Sequence, residues 1–203
     1  MMNKKKYHEG DPILRNNRYL NEMVSNYSEV IMYKQEDDIF FLLIDKTSDK
    51  GKQLLNEIVT KHKRNIKNLY KYCFNHHSHF FNDLNDDSIK YTLILFTIHL
   101  SNIVYMMNTK SFLPNIYILD SVCKKKGYKK GMFQHALHFL FSSKKQLSPS
   151  IATYYLSLDI QNPYICSAFC AYLKAGFIPY EIEEINDKDH ISMIYNMNSK
   201  HIR

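Results

Sequence analysis

The chain has 203 residues, 45% of them hydrophobic, and a formal net charge of +7. This composition excludes an intrinsically disordered chain and is sufficient for one full hydrophobic core. Because no apolar run approaches the ~20 residues that span a bilayer and the four cysteines form no CxxC pair, we expect a cytoplasmic protein without a membrane partner.

The predicted organisation is an N-terminal extension followed by a single domain. Residues 1–35 begin with a polar, basic segment and contain a predicted helix over residues 12–27. Residues 36–203 contain neither an internal repeat nor a stretch with the composition of a linker. We therefore expect one folded domain over this range.

The first part of the chain predicts a hairpin and a long helix. Two apolar runs, at residues 29–34 and 39–45, are separated by four polar residues, which is typical of a β-hairpin. Ser48 or Asp49 can accept hydrogen bonds from the free N–H groups of a helix start. Apolar residues at helical spacing then continue to about Cys73, so we expect the helix to end there.

The middle of the chain predicts strands around a second helix. Apolar and β-branched runs predict strands over residues 91–100, 102–108, 116–120 and 151–158. Between the last two strands, apolar residues recur at three- and four-residue spacing over residues 128–141. This spacing predicts an amphipathic helix.

The last part predicts a third helix and a second hairpin. Asn162, followed by proline, is a favoured helix start, and Gly176 is well placed to cap the other end after Lys174. Strands are expected over residues 177–185 and 190–197, with a turn rich in Asn and Asp between them. Together the elements predict an α/β fold of the mixed α+β kind, in which helices flank a central mixed β-sheet.

One stretch has the composition of a phosphate site. The strand at 116–120 is followed by a basic turn that contains Gly127 and then by the second helix. Free N–H groups and the dipole at a helix start favour an anion, and glycine lets the backbone approach it closely. The lysines at this turn are Lys124, Lys125, Lys126, Lys129 and Lys130. We therefore expect a phosphorylated ligand here.

Two motifs resemble those of the GNAT superfamily of acyl-CoA N-acyltransferases. The acyl-CoA signature of that family, Arg/Gln-x-x-Gly-x-Gly/Ala after a strand, corresponds to Lys124, Gly127 and Lys129, with lysine in place of the second glycine. The second motif, Asn-x-x-Ala-x-x-x-Tyr-x-Lys-x-Gly-Phe, matches from Ala168 onward. Its Asn corresponds to Asn162, which lies ten residues before the Tyr instead of seven.

The resemblance implies a binding site for acetyl-CoA as co-substrate. By resemblance, the main chain at Leu119 holds the pantetheine arm where two strands splay apart, and Asn162 is a further contact. The amides of Lys125 to Lys130 surround the pyrophosphate, with Tyr128 among them. Tyr172 corresponds to the phenol that protonates the departing thiolate, which suits a positioned general acid.

The implied activity is direct transfer of an acetyl group to a primary amine. In the family a main-chain N–H polarises the thioester carbonyl, and here it would come from Leu119 or Ser121. A base must take the proton of the amine. The candidate bases are His99, Asp120, Tyr117 and Glu181. The sequence does not rank them.

The acceptor is expected to be a small-molecule or peptide amine. Acidic residues in the loops would suit a cationic acceptor, although ordinary surface loops have the same composition. They are Asp83, Asp86, Asp87, Asp187 and Asp189. A homodimer is a further expectation.

Three alternatives stay open beside the transferase. A GNAT fold kept as an inactive binding or assembly module would accommodate Lys129 and the irregular spacing after Asn162. The net charge suggests a nucleic-acid-binding protein, but no recognition motif supports one. His76, His77 and His79 suggest a metal, but no carboxylate lies at helical spacing, so we expect none.

Overall fold

The computed structural model describes most of the chain as one sheet with three helices. The described residues are 31–36, 39–74, 86–97, 102–113, 116–124, 131–147 and 153–196, together with Asn26. No helix in these ranges is both long and apolar enough to cross a membrane. The predicted helix over residues 12–27 lies outside them, apart from Asn26.

The elements follow the predicted order along the chain. The strands are β1 (Ile31–Glu36), β2 (Ile39–Asp45), β3 (Ile89–Thr97), β4 (Ile103–Leu113), β5 (Ile116–Lys124), β6 (Thr153–Asp159), β7 (Ile178–Glu184) and β8 (Asp189–Asn196). The helices are α1 (Asp49–Phe74), α2 (Met132–Leu147) and α3 (Ile165–Lys174). The predicted extension at residues 1–35 therefore ends inside β1, which pairs with β2.

The eight strands form a mixed sheet in the order β1-β2-β3-β4-β5-β6-β8-β7. Strands β1 to β5 pair antiparallel with their neighbours, as do β6, β8 and β7. The pair β5 and β6 is parallel, because α2 carries the chain back between these two strands. The predicted mixed sheet with flanking helices is confirmed.

Helix α1 covers one face of β2, β4 and β5. The Ser48 hydroxyl accepts a hydrogen bond from the Gly51 N–H at 3.0 Å, so the predicted N-terminal cap is confirmed. Buried polar groups also fix the helix to the sheet, since Asn108 accepts from Thr92 at 2.9 Å and donates to Tyr70 at 3.2 Å. The helix has a kink at His62, whose φ of −108° and ψ of 19° are not helical.

Helix α2 covers the opposite face of the sheet. Its buried residues belong to one core cluster with β2–β6 and β8, and the residues from α2 are Met132, Ala136, Leu137, Phe139, Leu140 and Phe141. Phe139 lies against Phe41 of β2, with ring centroids 5.4 Å apart, and Phe141 lies 4.6 Å from Tyr154 of β6. The helix therefore packs across both strand groups and joins them.

The last two strands form a tight hairpin. Asn186 and Asp187 have positive φ angles of 53° and 59°, and Ile185 and Lys188 bond to each other across them. Two central residues with positive φ are the mark of a type I′ turn, whose twist fits a two-residue hairpin. The Asn- and Asp-rich turn predicted from the sequence is confirmed.

Candidate functional site

The two central strands β5 and β6 separate part-way along their length. Their recorded pairing ends at Ile118 and Tyr155, whereas β5 continues to Lys124 beside β4 and β6 continues to Asp159 beside β8. Beyond Ile118, the main-chain groups of β5 that face β6 have no partner on that strand. The separation leaves an opening whose rims carry backbone hydrogen-bonding groups, which an amide-containing ligand can bond.

A β-bulge lies on the β5 rim of this opening. Asn108 pairs with Ser121 and Thr109 pairs with Leu119, so Asp120 is an extra residue opposite this pair. The Leu119 side chain is 5% exposed and belongs to the core, which fixes the backbone at the start of the bulge. A bulge redirects the local N–H and C=O groups. Leu119, Asp120 and Ser121 therefore present irregular main chain to the opening.

The basic turn connects this rim to α2, but most of it lies outside the described residues. The part that is not described is residues 125–130, which comprise Lys125, Lys126, Gly127, Tyr128, Lys129 and Lys130, and the side chain of Lys124 is not described either. The predicted pyrophosphate site therefore stays a prediction. Gly131, with φ of +88°, leads into α2, and the N–H groups of Gln134 and His135 bond to its carbonyl oxygen.

Tyr172 is positioned by hydrogen bonds of the main chain around it and by ring contacts of its side chain. Its carbonyl oxygen accepts the Phe177 N–H at 3.0 Å, while the Gly176 N–H bonds to the Leu173 carbonyl at 3.0 Å. This is a Schellman motif, for which Gly176 supplies the left-handed residue, with φ of +94°. The predicted glycine cap of α3 is confirmed.

The ring of Tyr172 lies next to the start of α2. Its centroid is 4.7 Å from that of Phe133 and 5.3 Å from that of Phe177, both in edge-to-face contact. The residue is 6% exposed and shares a core cluster with Leu119 and Leu156, which lie on β5 and β6. The fold thus brings Tyr172 close to the helix that follows the basic turn.

The prediction that Asn162 caps α3 is wrong. The helix begins at Ile165, with Tyr164 as N-cap and no side-chain hydrogen bond to cap it. The Asn162 side chain instead accepts the Tyr164 N–H at 2.9 Å, which is an Asx-turn before the helix. The three extra residues in the motif are therefore taken up by this turn. Whether Asn162 contacts a ligand stays a prediction.

The structure describes three of the four candidate bases. Burial, and then the charge of Asp45, raise the pKa of the Tyr117 phenol, so this group stays protonated at neutral pH and is no base. The Asp120 carboxylate forms an ion pair with the Lys110 ammonium, with Oδ1 and Nζ 2.9 Å apart. Glu181 lies on exposed β7, where its hydrogen bond raises the pKa of Tyr180 to about 12. His99 lies outside the described residues.

The sequence did not reveal a polar side-chain pair that joins β6, the second rim strand, to its neighbour β8. Ser157 on β6 and His190 on β8 are 3.0 Å apart, measured from Oγ to Nδ1. Next to them the Ser192 hydroxyl donates a short hydrogen bond to Glu183 of β7. The only signal in the sequence is alternation, since Ser157 lies between Leu156 and Leu158. The pairing of residues so far apart depends on strand register.

The acidic residues proposed for the acceptor do not form one group. Asp86 lies before β3, where the Ser88 side chain, and next its N–H, lower the pKa of Asp86 to about 2 despite an opposing effect of burial. Asp187 lies in the β7–β8 turn, and Asp83 lies outside the described ranges, as do His76, His77 and His79. Within those ranges no cluster of three His, Cys, Asp or Glu residues could hold a metal ion.

Solved structures of acetyltransferases share this fold. No protein-family model and no curated relative matches the sequence. The ribosomal-protein-S18-alanine N-acetyltransferase from Escherichia coli matches with a TM-score of 0.54 at 13% identity, over 79% of this chain and 96% of that chain. The ribosomal-protein-S5-alanine acetyltransferase from Vibrio fischeri matches with a TM-score of 0.56 at 12% identity, over 82% of this chain and 97% of that chain. The IAA acetyltransferase from Bacillus cereus matches with a TM-score of 0.51 at 14% identity, over 64% of this chain and 91% of that chain.

Proposed function

We propose that this chain, which has the fold of the GNAT superfamily, is an acyl-CoA-dependent N-acyltransferase. The donor is acetyl-CoA and the acceptor is a primary amine, which attacks the thioester directly. The observation that carries the proposal is the opening between β5 and β6 after Ile118 and Tyr155, with a bulge on its rim.

The rim of β5 suits the thioester end of the donor. Main-chain groups that face away from β4 can bond to the amides of the pantetheine arm, as an added strand would. An N–H group at Leu119 or Ser121 would polarise the carbonyl, because the bulge turns it out of the regular ladder. The Leu119 side chain is fixed in the core, so this donor is oriented before the substrate arrives.

The elements beside the opening suit the other two parts of the reaction. The basic turn that precedes α2 supplies positive charge and main-chain amides for the pyrophosphate. Tyr172, next to Phe133 in the first turn of α2, would give its proton to the thiolate sulfur as that sulfur leaves. Both roles come from the resemblance and are supported by the position of these elements around α2.

The acceptor is a peptide or small-molecule amine. Two structural neighbours are named for acetylating an alanine of a ribosomal protein, so a short peptide with a free N-terminal alanine is the first probe. Cadaverine is the second, because the acidic residues of the loops would suit a cationic amine. A cytoplasmic location and a homodimer stay predictions.

The substitution Tyr172→Phe tests this function. It removes the phenolic proton and keeps the edge-to-face contacts with Phe133 and Phe177. We expect kcat to fall by about 10²-fold or more, while the affinity for CoA, measured by isothermal titration calorimetry, stays within about two-fold. Turnover is followed as free thiol released from acetyl-CoA. Tyr164→Phe, at an exposed tyrosine of the same helix, is the matched control and should keep full activity.

Two outcomes would overturn the proposal. A wild-type protein that does not bind CoA has no donor site. One that binds CoA but releases no thiol with either probe is the inactive binding module instead.

A further inference from the structure

Direct attack on a thioester requires a group that takes the proton of the amine. Three of the four predicted bases are poorly placed for this role, and the fourth, His99, lies outside the described residues. Tyr117 stays protonated and Asp120 is bonded to Lys110. Glu181 lies on β7, two strands from the opening. The strand that forms the second rim, β6, carries the best-placed polar group.

Ser157 lies on that rim, level with the bulge. The register of the parallel pair places Ile116 beside Thr153 and Ile118 beside Tyr155. Two residues further along each strand are Asp120 and Ser157, which therefore lie at the same height on opposite sides of the opening. The Ser157 hydroxyl is thus level with the N–H groups proposed to polarise the carbonyl, and His190, which pairs with Asp159, lies on the next strand two residues further along.

The Ser157 side chain points to the face of the sheet opposite α2 and α3. Leu156 is part of the core cluster that contains Tyr172, and Leu158 packs against it. Because side chains alternate along a strand, Ser157 between them points the other way. On this face it contacts His190 at 3.0 Å. His190 is half-buried and Ser157 is exposed, so a substrate can reach the imidazole.

His190 lies between two carboxylates. It pairs in register with Asp159 of β6 on one side and with Glu183 of β7 on the other. Lys188 lies 3.5 Å from Asp159, and Ser192 donates to Glu183. Two carboxylates and one ammonium leave this part of the sheet net negative, which attracts a cationic amine.

We propose that His190 accepts the proton of the acceptor amine and that Ser157 positions its imidazole. When His190 donates its Nδ1–H to Ser157 Oγ, Nε2 is the acceptor. The acceptor attacks as the neutral amine, after its ammonium form has lost a proton to solvent, and the new N–C bond forms as one N–H proton passes to Nε2. The C–S bond breaks, and the sulfur takes the hydroxyl proton of Tyr172. After the products leave, solvent returns a proton to the Tyr172 oxygen and takes one from His190. The inference rests on the proposed transferase function.

This arrangement separates the acid and the base by the sheet. Tyr172 belongs to the face covered by α2 and α3, and His190 belongs to the opposite face. The acceptor therefore approaches from the side where His190 is reached, and the donor lies on the side of the basic turn. Each proton then has its own path, and neither group blocks the other.

The substitution His190→Gln removes the base and keeps a polar side chain. We expect kcat with the alanine peptide or cadaverine to fall by about 10²-fold or more, while the KM for acetyl-CoA stays within about two-fold. In His190→Ala, imidazole added to the buffer should restore part of the turnover, which a purely structural role would not allow. His138→Gln, at an exposed histidine of α2, is the matched control and should match the wild type.

The substitution Ser157→Ala tests the positioning role. Loss of the hydroxyl frees the imidazole to rotate, so we expect a smaller fall in kcat, about ten-fold, and no rescue by imidazole. Ser157→Thr keeps the hydroxyl and should recover most of the activity. Ser167→Ala, at an exposed serine of α3, controls for removal of a serine elsewhere.

The outcomes distinguish the inference from the function on which it rests. If the wild type and Ser167→Ala turn over while His190→Gln keeps its full kcat, the role of His190 is wrong and the transferase stands. If the wild type binds CoA and turns over neither probe, the transferase and this inference fail together. Normal CoA affinity in every variant shows that a loss of kcat does not come from unfolding.

Discussion

The two groups of strands on either side of the opening are built differently. In β2, six of seven residues are buried, because α1 covers one face and α2 the other. In β7, at the opposite edge, six of seven residues are exposed, including Ile178, Tyr180 and Ile182. The first group is a packed scaffold that fixes the rim of β5. The second group ends in an exposed edge strand, so the two sides of the opening differ in how tightly they are packed.

The largest difference between the two groups should appear in stability. Leu93 of β3 is fully buried in the core cluster, so Leu93→Ala should lower the free energy of unfolding by about 2–5 kcal/mol through lost burial and a cavity. Ile182 of β7 is 70% exposed, and Ile182→Ala should change it by about 0.5 kcal/mol or less. Urea denaturation of both variants measures the two values. Similar losses would mean that the two strand groups are equally packed.

A smaller effect is expected where α1 meets β2. A Cβ atom at Gly51 would lie 1.8 Å from the Asp45 carbonyl oxygen, so in Gly51→Ala the helix must move away from the strand, at a cost of about 1–3 kcal/mol. Gly131→Ala is the comparison, because a Cβ there meets none of the described residues within 4 Å. Its cost comes only from the left-handed backbone, roughly 1 kcal/mol. Chemical denaturation should give Gly51→Ala a lower free energy of unfolding than Gly131→Ala. The reverse order would contradict the close approach of Gly51 to the Asp45 carbonyl oxygen.

The smallest effect is the acid dependence of the ion pairs beside the bulge. Asp86, with its pKa lowered to about 2, bonds to Lys110, which also holds Asp120. A carboxylate whose pKa is lowered in the folded state stabilises the fold at pH values above the pKa of an ordinary aspartate. This contribution is lost as the pH falls towards 2. Since the Asp86 side chain is 32% exposed, we expect less than about 1 kcal/mol.

Urea midpoints measured from neutral pH down to acid test this dependence. Ser88→Ala removes the hydroxyl that lowers the pKa most, so the acid-dependent loss of stability should be smaller and should be complete at a higher pH than in the wild type. Asp86→Asn should lose the dependence that this carboxylate contributes. Identical acid profiles for the wild type and both variants would contradict the assignment.

The sequence predicted most of the fold because most of its signals are local. The Ser48 cap, the Gly176 cap and the Asn- and Asp-rich turn each depend on a few neighbouring residues, and all three are confirmed. The prediction that Asn162 caps α3 is wrong because the local signal is ambiguous. Its side chain can serve either a helix start or an Asx-turn, and the geometry three residues later decides between them.

The candidate site was less predictable because it depends on register between distant strands. The strand predicted to end at residue 120 continues to Lys124, and a bulge at Asp120 keeps it in the sheet. Ser157 and His190 meet only because β6 pairs with β8 in one register. Their spacing in the chain carries no motif, so only the assembled sheet reveals the contact.

The early end of the parallel pairing also has a thermodynamic consequence. Among the described residues only three residue pairs bond β5 to β6, and the remaining connection runs through side chains such as Phe141 and Tyr154 under α2. A ligand that bonds to both rims adds cross-strand hydrogen bonds where the polypeptide has none. Its binding free energy is then added to that of folding. The melting temperature of the protein should therefore rise with the concentration of CoA.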